Sequence, residues 1–275
     1  MYNAFFGLTE NPFNLSPDPA FLYLSPQHEE ALANLTYGVQ SRKGFIVLTG
    51  EVGTGKTTLL ECLRDYMEEE GILFGFVFNP RLTVDQFFEM IAYDFDLQCP
   101  RDSKSRVLLS LQQMLLQRAV KNGTAALVVD EAHDLSWDLL EEIRMLGNLE
   151  NRAGKLLQVV LAGQPELDRK LDAPNLRQLK QRIVLRCALK NFLEDQTLEY
   201  ISSRLAKAGM VEQTVFPLDV LRGIHRRSDG IPRVINILCD NLLLTAFAME
   251  RKVTTLEMLD EVSADMRLDW AGQTP

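Results

Sequence analysis

An α/β fold with a five-stranded parallel sheet, followed by an all-helical C-terminal region, is what this sequence predicts. Three observations carry the prediction. Five apolar runs of strand length, Phe45–Leu48, Leu73–Phe78, Ala126–Asp130, Leu157–Ala162 and Ile183–Leu189, are spread along the first two thirds of the chain. Helix-length segments separate them, and near-continuous apolar strands alternating with helices mean parallel strands covered on both faces. Beyond about residue 191 every segment shows helical apolar spacing and no strand candidate remains.

The elements follow in order. Residues 1–44 open with an aromatic, proline-punctuated stretch of Phe5, Phe6, Pro12, Phe13, Pro17, Pro19, Phe21 and Tyr23. Its proline density disfavours a helix before Ser25. Ser25-Pro26 then reads as an N-cap with proline at the first helical position, and acids follow in the first turn. Between the strands the expected helices are Thr57–Glu70, Thr83–Phe95, Ser105–Asn122 and Trp137–Asn151; after them come Glu194–Ala208, Pro217–His225, Pro232–Met249 and Thr255–Leu268. The domain reading is residues 1–44 as an N-terminal segment and helix, 45–190 as the α/β core, 191–268 as a helical domain, and 269–275 as a frayed tail.

At 275 residues, one large α/β domain plus a smaller one is the natural expectation. Lys and Arg total 29 against 38 Asp and Glu, a net charge of −9, which argues against wholesale coating of nucleic acid but leaves room for a local basic face. Cys62, Cys99, Cys187 and Cys239 are scattered with no C-x-x-C pair, as expected of reduced thiols in a cytoplasmic protein. No apolar run approaches the roughly 18 residues needed to span a bilayer, and the N-terminus does not read as a signal peptide.

Chemistry concentrates first at Gly50-Glu51-Val52-Gly53-Thr54-Gly55-Lys56-Thr57, which fits G-x-x-x-x-G-K-[ST] in full between a strand candidate and a helix start that includes Thr58. Glycines let the backbone N–H groups curl toward an anion, and a helix N-terminus adds its positive end. Lys56 is placed to reach the β- and γ-phosphates of a nucleotide and Thr57 to hold Mg2+. The plain alternative, a Gly-rich turn before an ordinary helix, is disfavoured by the fit of both flanks.

Asp130-Glu131 ends an apolar strand, where Asp130 suits a magnesium ligand and Glu131 a general base that polarises the attacking water. A solvent-facing acidic turn is the simpler reading without the phosphate loop. Asp130-Glu131-Ala132-His133 also spells the DEAH box of a helicase class, but such helicases need two tandem sheet domains and only one is present. His133 reads as a polar residue following the site, or as one that signals nucleotide state. Gln164, after the next strand, is chemically able to touch the γ-phosphate or orient the lytic water; the alternative is a loop residue before Pro165. Arg177, Lys180 and Arg182 precede the last strand. Arg182 is the first candidate for a guanidinium that stabilises phosphoryl charge and Arg177 the second, against an exposed basic helix face. Arg233 falls in the first turn of a helix begun by Gly230-Ile231-Pro232, where a cation opposes the helix dipole unless an anion or an acidic side chain compensates. Arg222, His225, Arg226 and Arg227 nearby form either a solvated face or a contact for nucleic acid or a partner.

This order of elements resembles the AAA+ ATPases. Phe5-Phe6-Gly7-Leu8, Glu10, Pro12-Phe13, Pro17-Asp18-Pro19, Phe21-Leu22-Tyr23, Arg42-Lys43-Gly44-Phe45 and Leu161-Ala162-Gly163-Gln164-Pro165-Glu166-Leu167 look like the general secretion pathway protein A group, which includes secretin-assembly and exopolysaccharide-locus ATPases. The chain is also similar to DNA-binding AAA+ proteins of transposition systems. The resemblance implies a P-loop AAA+ core with an all-helical C-terminal lid, ATP and Mg2+ as ligands, and an N-terminal segment folded over the adenine. It further implies a ring of subunits in which Arg182 or Arg177 acts on a neighbour, Arg233 as a second sensor, and an envelope secretion or polysaccharide-export component as partner. A DNA-binding target selector and a slow nucleotide-gated switch are the rival readings. Lys190-Asn191-Phe192-Leu193-Glu194 departs from the Pro-containing junction expected between core and lid.

Overall fold

The computed structural model describes residues 2–16, 18–78, 81–99, 103–152, 154–210 and 215–266. In chain order its elements are α1 (Asn3–Phe6), α2 (Pro26–Gln40), β1 (Phe45–Gly50), α3 (Lys56–Glu69), β2 (Leu73–Val77), α4 (Val84–Asp94), α5 (Lys104–Val120), β3 (Ala125–Val129), α6 (Trp137–Leu146), β4 (Glu150–Asn151), β5 (Gly154–Lys155), β6 (Leu157–Gly163), α7 (Glu166–Leu171), α8 (Arg177–Lys180), β7 (Ile183–Leu189), α9 (Glu194–Lys207), α10 (Leu218–Ser228), α11 (Pro232–Ala248) and α12 (Leu256–Asp265). They fall into two compact units, each with its own apolar core.

The first unit, Pro26–Val52 with Leu59–Leu189, is built on a five-stranded sheet of order β2-β3-β6-β1-β7 in which every pairing is parallel. All of β1, β3 and β6 is buried, which is why these strands read as continuous apolar runs. The register sets Val129 opposite Leu161 and Thr49 opposite Gly163, so β3 ends before β1 and β6 do, and the chain after all three leaves the sheet at the same end. One core gathers Phe45, Val47, Phe87, Phe88, Leu127 and Ile143. Thr83 caps α4 with a reciprocal pair: its hydroxyl accepts from the Gln86 N–H, and the Gln86 side chain accepts from the Thr83 N–H.

The second unit joins the described residues of Met1–Ser25, Gly53–Thr58 and Lys190–Pro275. The N-terminal rings of Tyr2, Phe6, Phe13 and Phe21 are buried in its core with Phe192, Tyr200, Leu238 and Leu242. Asp229 (φ 49°) and Gly230 (φ 68°) turn the chain from α10 into α11. The unusual junction after Lys190 docks on this turn: the Phe192 N–H donates to the Gly230 carbonyl at 2.8 Å, and a Cβ on Gly230 would lie 2.1 Å from the Phe192 oxygen.

Two expectations need correction. The helix expected over Trp137–Asn151 stops at Leu146, and the hairpin of β4 and β5 follows it. Gly147 sits where any side chain would strike the Phe45 ring, 2.2 Å from its nearest carbon. The proline-rich N-terminus holds a short α-helix, α1, closed by Gly7 in the left-handed region, and a 3-10 turn at Pro19–Phe21. The end of the last expected helix, Leu268, and the tail 269–275 lie outside the described residues, as does Pro17.

Candidate functional site at the sheet edge

The buried β1 delivers the chain to Gly50, and the loop that follows bends through Gly53 (φ 82°) and Gly55 (φ 100°). These left-handed conformations favour glycine. Helix α3 then begins at Lys56 with no acid in its first turn, so the positive end of its dipole is uncompensated by side chains there. Thr54 and Lys56 are buried, whereas Glu51, Val52 and Thr57 are exposed. Thr58 lies between these extremes.

Within its own unit the loop meets α11. The Arg233 N–H donates to the Gly53 carbonyl at 3.1 Å, which satisfies one of the unpaired donors of that helix start. A Cβ on Gly53 would lie 2.6 Å from the Arg233 Cβ, so the close approach requires glycine. The Arg233 guanidinium is exposed and makes no ion pair or side-chain hydrogen bond among the described residues.

At the same edge of the sheet, Asp130 and Glu131 follow β3. Asp130 is buried; its N–H donates to the Val77 carbonyl and its Oδ1 accepts from the Glu131 N–H at 2.8 Å. Glu131 sits at φ 50°, a left-handed conformation unusual for a residue with a side chain. Its Oε2 is buried without a hydrogen-bond donor among the described residues. That oxygen lies 3.4 Å from Nδ1 of His133, without hydrogen-bond geometry. Gln164 follows β6 and reaches the same histidine. Sequence reading named Glu131 and Gln164 separately and left His133 open between two readings. What it missed is Lys170, whose ammonium donates to the carbonyls of His133 and Leu135 and lies over the Trp137 ring, fixing the turn that carries the acids. Burial lowers the pKa of this lysine, with Asp134 partly opposing.

The two arginine candidates differ. Arg182 Nη1 donates to the Arg144 carbonyl at 3.0 Å, in the last turn of α6, whereas Arg177 is exposed on α8 and its guanidinium has no partner among the described residues. In the basic cluster of the helical unit, Arg222 pairs with Glu194 at 3.0 Å, Arg227 with Asp260, and His225 with the Thr197 hydroxyl. No helix among the described residues is long and apolar enough to cross a membrane.

Comparison with known proteins agrees with this geometry. Residues 39–171 match the AAA domain family. Over 249 residues the chain is 45% identical to general secretion pathway protein A of Aeromonas hydrophila; the match covers 90% of this chain and 45% of that protein, so the chain spans about half of its relative's length. Among solved structures, Cdc6p from Pyrobaculum aerophilum superposes with a TM-score of 0.70 at 20% identity, covering 94% of this chain and 71% of that one. The Aeropyrum pernix ORC1 protein, solved in complex with DNA, gives 0.64 at 17% identity, covering 94% and 69%. The RuvB Holliday junction branch migration motor of Thermotoga maritima gives 0.59 at 17%, covering 89% and 71%. At such identities these structures establish the P-loop AAA+ fold and nothing about substrate.

Proposed function

The chain carries an AAA domain of the kind found in general secretion pathway protein A, and on that premise we propose that it is an ATPase. In this reading it couples hydrolysis to assembling or regulating a cell-envelope secretion or exopolysaccharide-export system. It works as an oligomeric ring on the cytoplasmic side, with a component of that system as partner. The observation that carries the proposal is Glu131, a carboxylate held in a left-handed turn with one oxygen buried and undonated, beside Gln164 at the edge where the phosphate loop leaves the sheet.

The loop N–H groups of residues 50–58 and the Lys56 ammonium bind the triphosphate, and the N-terminal segment covers the adenine. Thr57 and Asp130 would hold Mg2+, which when bound neutralises phosphate charge. Glu131 takes a proton from the attacking water, and Gln164 orients that water or the γ-phosphate. Arg233 and a guanidinium from Arg177 or Arg182 stabilise the charge that develops on the transferring phosphoryl group. The DNA-selector reading relied on the basic cluster of α10. Arg222 and Arg227 of that cluster are paired with Glu194 and Asp260, which weakens the reading, while Arg226 is exposed.

Phosphate release and nucleotide affinity, measured on the same preparations, test the assignment. Glu131→Gln should keep its ATP affinity and lose about 10²–10⁴-fold in turnover, the range of a general base. Lys56→Ala should lose affinity itself. Normal turnover by Glu131→Gln sinks the ATPase mechanism proposed for this site.

A further inference from the structure

His133 stands between the two residues on which hydrolysis depends. Its side chain is 13% exposed, and Gly163 makes room for it: a Cβ there would lie 3.1 Å from the His133 nitrogen and 3.3 Å from Nδ1. Nδ1 accepts the backbone N–H of Gln164 at 3.3 Å. In a neutral imidazole the ring proton is then on Nε2. The amide end of Gln164 lies 3.0 Å from Nε2. The atom placed there is the Gln164 nitrogen, and since two N–H groups cannot donate to each other, this tautomer assigns the amide the other way round, with its oxygen toward the ring and the NH2 group outward as a donor. The ring thus holds Gln164 at two points, one on the backbone and one on the side chain.

The third neighbour is the base. Glu131 Oε2 lies 3.4 Å from the same Nδ1. A nitrogen that accepts from Gln164 has no proton to give, which accounts for that oxygen being without a donor among the described residues. Nδ1 can accept from the Gln164 backbone or donate to the Glu131 carboxylate, not both. Asp134 Oδ1 stands 4.0 Å from Nε2, and Lys170 fixes the His133 carbonyl at 3.0 Å, so the ring's position is set from several sides.

We propose that His133 is a positioning residue for the phosphate-facing amide: its ring holds Gln164 at the backbone and at the side chain, with the NH2 group outward, beside the Glu131 carboxylate. The proposal rests on the ATPase reading above.

The test is steady-state hydrolysis by His133→Ala, His133→Gln, His133→Asn, Gln164→Ala and the His133→Ala/Gln164→Ala double variant, with thermal melting alongside. His133→Ala should lower kcat about tenfold while KM for ATP stays within about twofold, the pattern of a contact made for the chemical step. The double variant should be no slower than Gln164→Ala, because residues in contact are not additive. His133→Gln, whose amide reaches the place of Nε2, should recover more of kcat than His133→Asn, which reaches only the place of Nδ1. Unchanged kcat in His133→Ala, or losses that multiply in the double variant, overturn the inference. If His133→Ala does not fold, equal activity of the Gln and Asn variants overturns it. A wild type that hydrolyses no ATP removes the ATPase reading and this inference with it, whereas a fully active Glu131→Gln removes Glu131 as the base and leaves the ATPase reading standing. A silent His133→Ala beside a dead Glu131→Gln removes the inference alone.

Discussion

Gly53 and Arg233 are paired by geometry and separable by substitution. At Gly53 a side chain meets two obstacles, a φ of 82° and the Arg233 Cβ 2.6 Å away, and neither neighbour is the far end of a flexible chain. Gly53→Ala should therefore cost about 1–3 kcal/mol of stability, through backbone strain and displacement of the α11 start. It should weaken nucleotide binding in the same measure, since the carbonyl bonded to the Arg233 N–H belongs to the phosphate loop. Arg233→Ala keeps that backbone bond and loses only an exposed, unpartnered guanidinium. Its melting temperature should be nearly unchanged, with a stability change within about 0.5 kcal/mol, while affinity for ATP falls more than affinity for ADP. Calorimetric melting and nucleotide titration of the two variants separate a structural contact from an anion contact. Equal losses of ATP and ADP affinity in Arg233→Ala would count against a γ-phosphate role.

Element-scale energetics are clearest at the edge strand β2, where the Phe76 N–H donates to the Asp94 carboxylate at 2.8 Å from the end of α4. Burial raises the Asp94 pKa, and the hydrogen bond from Phe76 only partly offsets it. A carboxyl whose pKa is higher folded than unfolded binds more protons in the folded state, so stability falls as pH rises from the unfolded carboxylate pKa through the raised folded one. Asp94→Asn keeps an acceptor for Phe76 and removes the buried charge. It should raise the melting temperature at pH 7 and have little effect at pH 4, and melts of both proteins at the two pH values check the sign.

The same scale shows what was legible in the sequence. Strands β1, β3 and β6 stood out because both faces are buried, so their apolar runs are unbroken. The hairpin of β4 and β5 was not, because two-residue strands of Glu150-Asn151 and Gly154-Lys155 have no period to read. The end of α6 is set by the Phe45 ring against Gly147, a contact about a hundred positions away in the chain. At the site, the phosphate loop and the acid pair are local strings and were read directly. The linkage of His133 to Gln164 depends on the parallel pairing of β3 with β6 and on the missing side chain of Gly163, neither of which a local pattern encodes.

For the molecule acting as an assembly, the open question is which arginine a subunit can lend to its neighbour. A finger must project from its own chain with its guanidinium uncommitted. Arg182 half meets that condition, since its guanidinium closes α6 through the Arg144 carbonyl, an acceptor that helix ends leave unpaired. Arg177 meets it fully, exposed on α8 with no partner among the described residues. If the ATPase works as a ring, Arg177→Ala subunits retain an intact phosphate loop and lack the finger, whereas Lys56→Ala subunits retain the finger and lack the loop. Mixed rings then contain junctions in which a Lys56→Ala subunit supplies Arg177 to an intact loop. Mixing the two inactive proteins should restore turnover that neither has alone, rising and then falling with their ratio. Arg182→Ala should instead lower the melting temperature, because the end of α6 loses its donor. Absence of rescue at every ratio with Arg177→Ala, together with rescue by Arg182→Ala, would transfer the finger to Arg182; absence of rescue with both would remove the shared site and leave each subunit to hydrolyse ATP alone.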